Sequence, residues 1–257
     1  MCIRDREEEA RKKRRATFWT LGVVAPILAG LVLFLPPLLI ERFGPQVNAT
    51  AQVSTATSCS FVVPLEGELR EDPTQLAVEP GSMGTMPCDD AISKLNGVHN
   101  HLVVDAVITS ANEEAVVLTD VSIEVEEQTP ISGSAYYSTG GIGGDATTLR
   151  VIANVEATDP IQEVEVHRQD GPPDTYGSLS ELPKRPFATK SDPLAVELTF
   201  SVNKAYTTFD IILHWQKGSV ADTTRLDNNG AGFQVAGTED LPSFTRGGDD
   251  VWVPARD

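Results

Sequence analysis

Past residue 100 the apolar residues fall on every second position, run after run. Leu102, Val104, Ala106 and Ile108 form one such face, and Leu149, Val151, Ala153 and Val155 another. Leu194, Val196, Leu198, Phe200 and Val202 alternate with Ala195, Glu197, Thr199, Ser201 and Asn203, and Phe209, Ile211, Leu213 and Trp215 repeat the pattern. Val117, Val121, Ile123 and Val125 make a further face, with Thr119 its one polar member. A period of two means strands with one buried and one solvated side, as in antiparallel sheets. Shorter strands are expected at Phe61–Val63, Val164–Val166 and Phe233–Val235. Turn-forming stretches separate the runs: Ala111–Glu114, "DGPPD" at 170–174 and "DNNG" at 227–230, the last read as an Asn-Gly hairpin turn. One short helix is placed at Asp89–Leu95, and long loops at 136–146 and 170–193. The expected fold is mainly β, an antiparallel two-sheet sandwich, immunoglobulin-like in the broad sense.

A different pattern precedes it. Phe18–Ile40 is apolar without a charge, long enough to span a hydrocarbon core of about 30 Å as a helix. Arg11, Lys12, Lys13, Arg14 and Arg15 stand immediately before it and only Arg42 follows closely, so the positive-inside rule keeps the N-terminus cytoplasmic. A cleaved signal peptide would have a shorter apolar core and a nearer cleavage site than Ala49-Thr50-Ala51. The chain therefore divides into a basic cytoplasmic segment (7–16), a transmembrane helix (17–40), a small-residue stalk (41–58) and an extracytoplasmic β domain (59–257). Residues 1–6, "MCIRDR", resemble the translated end of a transposon used to tag sequencing libraries. They are expected to be a scar on a chain that extends further upstream.

Charge sharpens this division. Seven of the 20 Lys/Arg and four of the 37 Asp/Glu precede residue 17, and none falls in 17–40. The remainder carries 13 basic against 33 acidic residues. So acidic a domain repels nucleic acid, and none is expected as a partner. With Cys2 assigned to the scar, Cys59 and Cys88 form an even pair in an oxidising compartment and are expected to be a disulfide.

Chemistry-bearing motifs are sparse. His99 and His101 share strand parity with Asp105, and three such ligands could hold a metal. Their parity is opposite to Leu102, Val104 and Ala106, so water faces them and no metal site is assigned. "DNNG" lacks the further ligands of a calcium loop, and "GGIGGD" at 140–145 lacks the Lys-Ser/Thr of a phosphate loop. His167 and His214 read as isolated strand residues. No nucleophile motif is present, and no cofactor is expected.

Several stretches resemble a group of uncharacterised single-pass membrane proteins of actinobacteria: "CSFVVP" at 59–64, "AVVLTDVSIEVEEQTP" at 115–130, "LHWQKG" at 213–218, "RLDNNGAGFQVAG" at 225–237 and "VWVP" at 251–254. The resemblance implies a cell-envelope setting, with cytoplasmic regions before the anchor in some relatives, and brings no activity or catalytic residue. It also implies a cysteine just before the Trp215 strand. "NKAYTTFD" at 203–210 has none, so no second disulfide is expected.

The expected function is a non-catalytic, membrane-anchored domain binding an envelope or extracellular partner. The alternatives are the sensor half of a transmembrane signalling protein, or a metal-dependent hydrolase built on His99, His101 and Asp105.

Overall fold

The computed structural model describes residues 47–54, 60–76, 96–138, 149–167, 171–246 and 252–255. The expected membrane helix with its basic flank, the helix at 89–95, the "GGIGGD" loop, Cys59 and Cys88 lie outside them. Among the described residues no helix is long and apolar enough to cross a membrane.

Among the described residues the fold is mainly β, in three sheets. The first runs β1 (Val47–Val53), β4 (His101–Ser110), β11 (Leu194–Ser201), β7 (Leu149–Asn154), β8 (Ile161–Val166) and β9 (Asp174–Tyr176). The second runs β10 (Phe187–Ala188), β5 (Val116–Pro130), β12 (Ala205–Lys217) and β13 (Val220–Leu226), with β14 (Phe233–Ala236) also on β12. The third runs β16 (Trp252–Pro254), β15 (Ser243–Arg246), β6 (Ser134–Ser138), β2 (Ser60–Pro64) and β3 (Val98–His99). A single helical turn, α1 (Glu68–Glu71), follows β2.

The alternating runs do what their period dictates. Leu102, Val104, Ala106 and Ile108 are buried, as are Val151, Ala153, Val196, Leu198, Phe200, Phe209, Ile211, Leu213 and Trp215. They join the first two sheets in one hydrophobic core, consistent with a β-sandwich. Two features depart from the expected antiparallel two-sheet plan: the third sheet, and the parallel pairs β11/β7 and β15/β6.

Local departures have local causes. Val47–Val53, placed in the stalk, is an edge strand paired with β4 over seven residues, with Val47 buried and Ala49, Ala51 and Val53 against the core. Two of its four inward positions are alanine, and Asn and Thr stand between them, so the alternation resembles linker composition. On β5 the inward face changes parity. Opposite β12 the register jumps from His214–Asp120 to Trp215–Leu118, leaving Thr119 as an extra residue. Val116 and Leu118 therefore point inward before the bulge and Val121 after it, and Val117 does not join the core. A second bulge at Glu126 adjoins Val125, which is 43% exposed rather than inward. Tyr136 and Tyr137, read as loop, belong to β6, and the expected loop at 170–193 contributes β9, β10 and the buried Leu179 and Leu182.

"DNNG" is not a hairpin turn. β13 and β14 lie end to end along the same edge of β12, and residues 227–232 form an excursion between them, opposite Asp210. Asn228, Asn229, Gly230 and Gly232 all take positive φ there, the conformation that Asn and Gly tolerate best.

The third sheet has its own core. Tyr137 stacks between Phe61 (ring centroids 5.7 Å) and Phe244 (5.3 Å), with Trp252 edge-on at 5.0 Å. Its hydroxyl donates to the Pro73 carbonyl oxygen at 2.9 Å. Burial, and then the nearby Asp72 charge, push the phenol up to about 12 from its usual 10. A raised folded-state pKa means that folding favours the protonated phenol. The resulting stability is complete below pH 10 and is lost as pH rises from 10 to 12. Two pKa units correspond to about 3 kcal/mol. Urea melts across this window should show that loss in the wild type, and a shallower one in Tyr137→Phe.

Candidate functional site

Where the second and third sheets meet, a cleft of about 280 Å³ opens. One wall is Pro64, Asn96 and Val98 of the β2–β3 edge; the other is Glu127 and Thr129 of β5, Tyr206–Thr208 of β12, and Gln234 and Val235 of β14. Gly97 lets the first wall close up, because a Cβ there would lie 3.2 Å from Val63 Cγ2.

The second wall follows from strand register. Tyr206 faces Thr129, and Thr208 faces Glu127 on one side and Gln234 on the other. Alternation thus sets two cross-strand rows of hydrogen-bonding side chains on one sheet face. The Tyr206 hydroxyl is 3.1 Å from Ser134 Oγ on β6, a bond that fixes the ring and ties the two sheets together. Burial raises the Tyr206 pKa, so the phenol stays a neutral donor and acceptor. Thr207, on the opposite parity, is buried, and its Oγ1 lacks a hydrogen-bond partner among the described residues.

The same sheet face continues into a charged cluster. Asp210, expected in solvent, is 1% exposed because Arg225 of β13 covers it. Arg225 also donates to Glu124 at 2.9 Å and to Glu126 at 3.1 Å. One guanidinium against three carboxylates leaves net negative charge beside the cleft, which disfavours anions there. The first sheet carries a similar group, in which Arg150 binds Glu197 and Glu165. His167 Nε2 lies 3.4 Å from Glu165 Oε2 in that group.

His214, read as isolated, is 2.7 Å through Nε2 from Ser122 Oγ. This Ser–His pair spans the β5–β12 ladder diagonally, Ser122 lying opposite Ile212 and His214 opposite Asp120. The pair acts as a cross-strand hydrogen bond.

The candidate metal ligands are not brought together. His99 lies on β3 in the third sheet, while His101 and Asp105 lie on β4 in the first. Four residues of strand put the latter two about 13 Å apart along β4, too far to share one ion. Among the described residues no three His, Cys, Asp or Glu side chains form a group that could hold a metal.

The cleft escapes sequence reasoning because its walls come from residues 64, 96–98, 127–129, 206–208 and 234–235. The available signal was the polar residues at both parities of "AYTT" and "EEQT", where a one-sided strand would show alternation. No protein family, curated protein or solved structure matches the chain.

Proposed function

We propose that this protein is a membrane-tethered binding module of the cell envelope, held by a helix through residues 17–40 with its basic flank inside and its β domain outside. The first two sheets are read as an immunoglobulin-like sandwich in the broad sense, and Cys59 and Cys88 as a disulfide of the outer domain. The setting follows the resemblance to actinobacterial single-pass proteins. The module binds and does not catalyse.

The cleft between the second and third sheets carries this reading. Its neutral hydrogen-bonding groups, Thr129, Tyr206, Thr208 and Gln234, suit a hydroxyl- or amide-rich ligand. The adjoining carboxylates exclude anionic ones. A neutral oligosaccharide released from the envelope is the natural probe. Spheroplasts displaying the full chain should bind the labelled oligosaccharide, and Thr129→Trp, which fills the cleft from an exposed position, should weaken binding at least about tenfold. Equal binding by the two proteins, or none by either, would overturn the proposal.

A further inference from the structure

At the end of the first two sheets, away from any cleft residue, a lysine meets an asparagine. Lys217 closes β12 with its side chain only 6% exposed, although it carries an amine. Its Nζ lies 2.7 Å from Oδ1 of Asn112, in the turn between β4 and β5. That carboxamide oxygen is already held by the Glu114 backbone N–H at 3.1 Å, with the Ser110 hydroxyl at 3.5 Å. The Glu114 carboxylate stands 3.8 Å from the same Nζ. Glu113 is occupied elsewhere, by Ser191 at 2.7 Å. The asparagine is pinned from its own backbone too, since its carbonyl oxygen accepts from the Lys190 N–H at 3.0 Å.

We infer that Lys217 and Asn112 form an intramolecular amide cross-link, made by the protein itself with release of ammonia. The parts needed for acyl transfer to an amine are present. The nucleophile touches the carbonyl, and Cγ is one C=O bond, about 1.2 Å, beyond the oxygen it now contacts. Such preorganisation replaces a bimolecular encounter with an effective molarity on the order of 10⁵ M or more. The Glu114 N–H and the Ser110 hydroxyl lie where negative charge develops on Oδ1.

The step balances without any oxidant or co-reactant. Glu114 takes one proton from the ammonium of Lys217. The freed lone pair forms the Nζ–Cγ bond while the carbonyl electrons move onto Oδ1. The proton on Glu114 then passes to Nδ2 and the C–N bond breaks. The electrons on Oδ1 re-form the carbonyl as Nδ2 leaves with the C–N bond pair as ammonia, which takes up the remaining excess proton of Nζ and departs as ammonium. An amide joining positions 112 and 217 remains, and Glu114 is regenerated.

Mass spectrometry of the purified full chain tests this directly. The expected result is a loss of about 17 Da against the sequence mass, with a proteolytic fragment in which the peptides containing Asn112 and Lys217 are joined. Lys217→Arg keeps a buried cation and a donor to Oδ1 but should restore the full mass, as should Asn112→Ala. Glu114→Gln should leave most of the chain unlinked. An unmodified mass in the wild type would overturn the inference. So would a loss of ammonia that persists in Lys217→Arg, which marks cyclisation of an asparagine rather than a cross-link.

Discussion

Phe200→Ala is expected to lower the unfolding free energy by about 3–5 kcal/mol, measured by urea denaturation of the β domain. The ring is 1% exposed and packs 4.9 Å from that of Phe209 on the facing sheet. Its backbone is fixed between Leu102 of β4 and Ala153 of β7, so neither neighbour can slide in to fill the space. The cost therefore includes the cavity as well as the lost burial. Val220→Ala provides the contrast, since Val220 is 58% exposed and its truncation should fall within about 0.5 kcal/mol. Similar melting curves for the two variants would remove Phe200 from the core.

Gly237→Ala is expected to be as damaging for the opposite reason. A Cβ at 237 would lie 2.1 Å from the Asn203 carbonyl oxygen, 2.2 Å from its carbon and 2.5 Å from Lys204 N. These are backbone atoms of the β11–β12 turn, so no side chain can swing aside. The turn is also tied to this segment, through Gly237 N–H to Ala205 O at 2.9 Å and Glu239 N–H to Asn203 O at 3.1 Å. Overpacking commonly costs about 1–3 kcal/mol, and this clash, which displaces two hydrogen-bonded backbones, should cost about 4 kcal/mol or more. Gly171→Ala, with nothing within 4 Å of the new methyl, should change stability by less than about 1 kcal/mol. Equal melting temperatures for the two alanine variants would show that the Asn203–Gly237 contact is not kept in solution.

Strand faces were legible wherever the alternation is long and unbroken. Leu102 through Ile108 and Phe209 through Trp215 needed nothing but their period. The readings failed where tertiary structure decides. Thr119 sits inside an apparently continuous alternation, and only the register with His214 and Trp215 reveals that it is a bulge. Val47–Val53 hides its inward face behind alanines. Tyr137 looked like the start of a glycine loop, although its aromatic neighbours Phe61, Phe244 and Trp252 come from distant parts of the chain. Asp210 read as solvated because nothing local announces that Arg225 will lie over it. The cleft and the Lys217–Asn112 contact share that origin, since each is assembled from segments whose nearness is set by topology.

The third sheet has a consequence for how the chain is made. β2 and β6 end by residue 138, but β15 pairs with β6 only once Ser243–Arg246 has been synthesised, and Trp252 arrives later still. At roughly 5–20 residues per second, on the order of ten seconds separate the two halves of that sheet. Throughout that interval β6 has an open edge, and Phe61 and Tyr137 wait for the rings that will cover them. The strands at Ser243–Arg246 and Trp252–Pro254 are thus the closure of that sheet, supplying its missing edge and its covering rings after every other strand has been made.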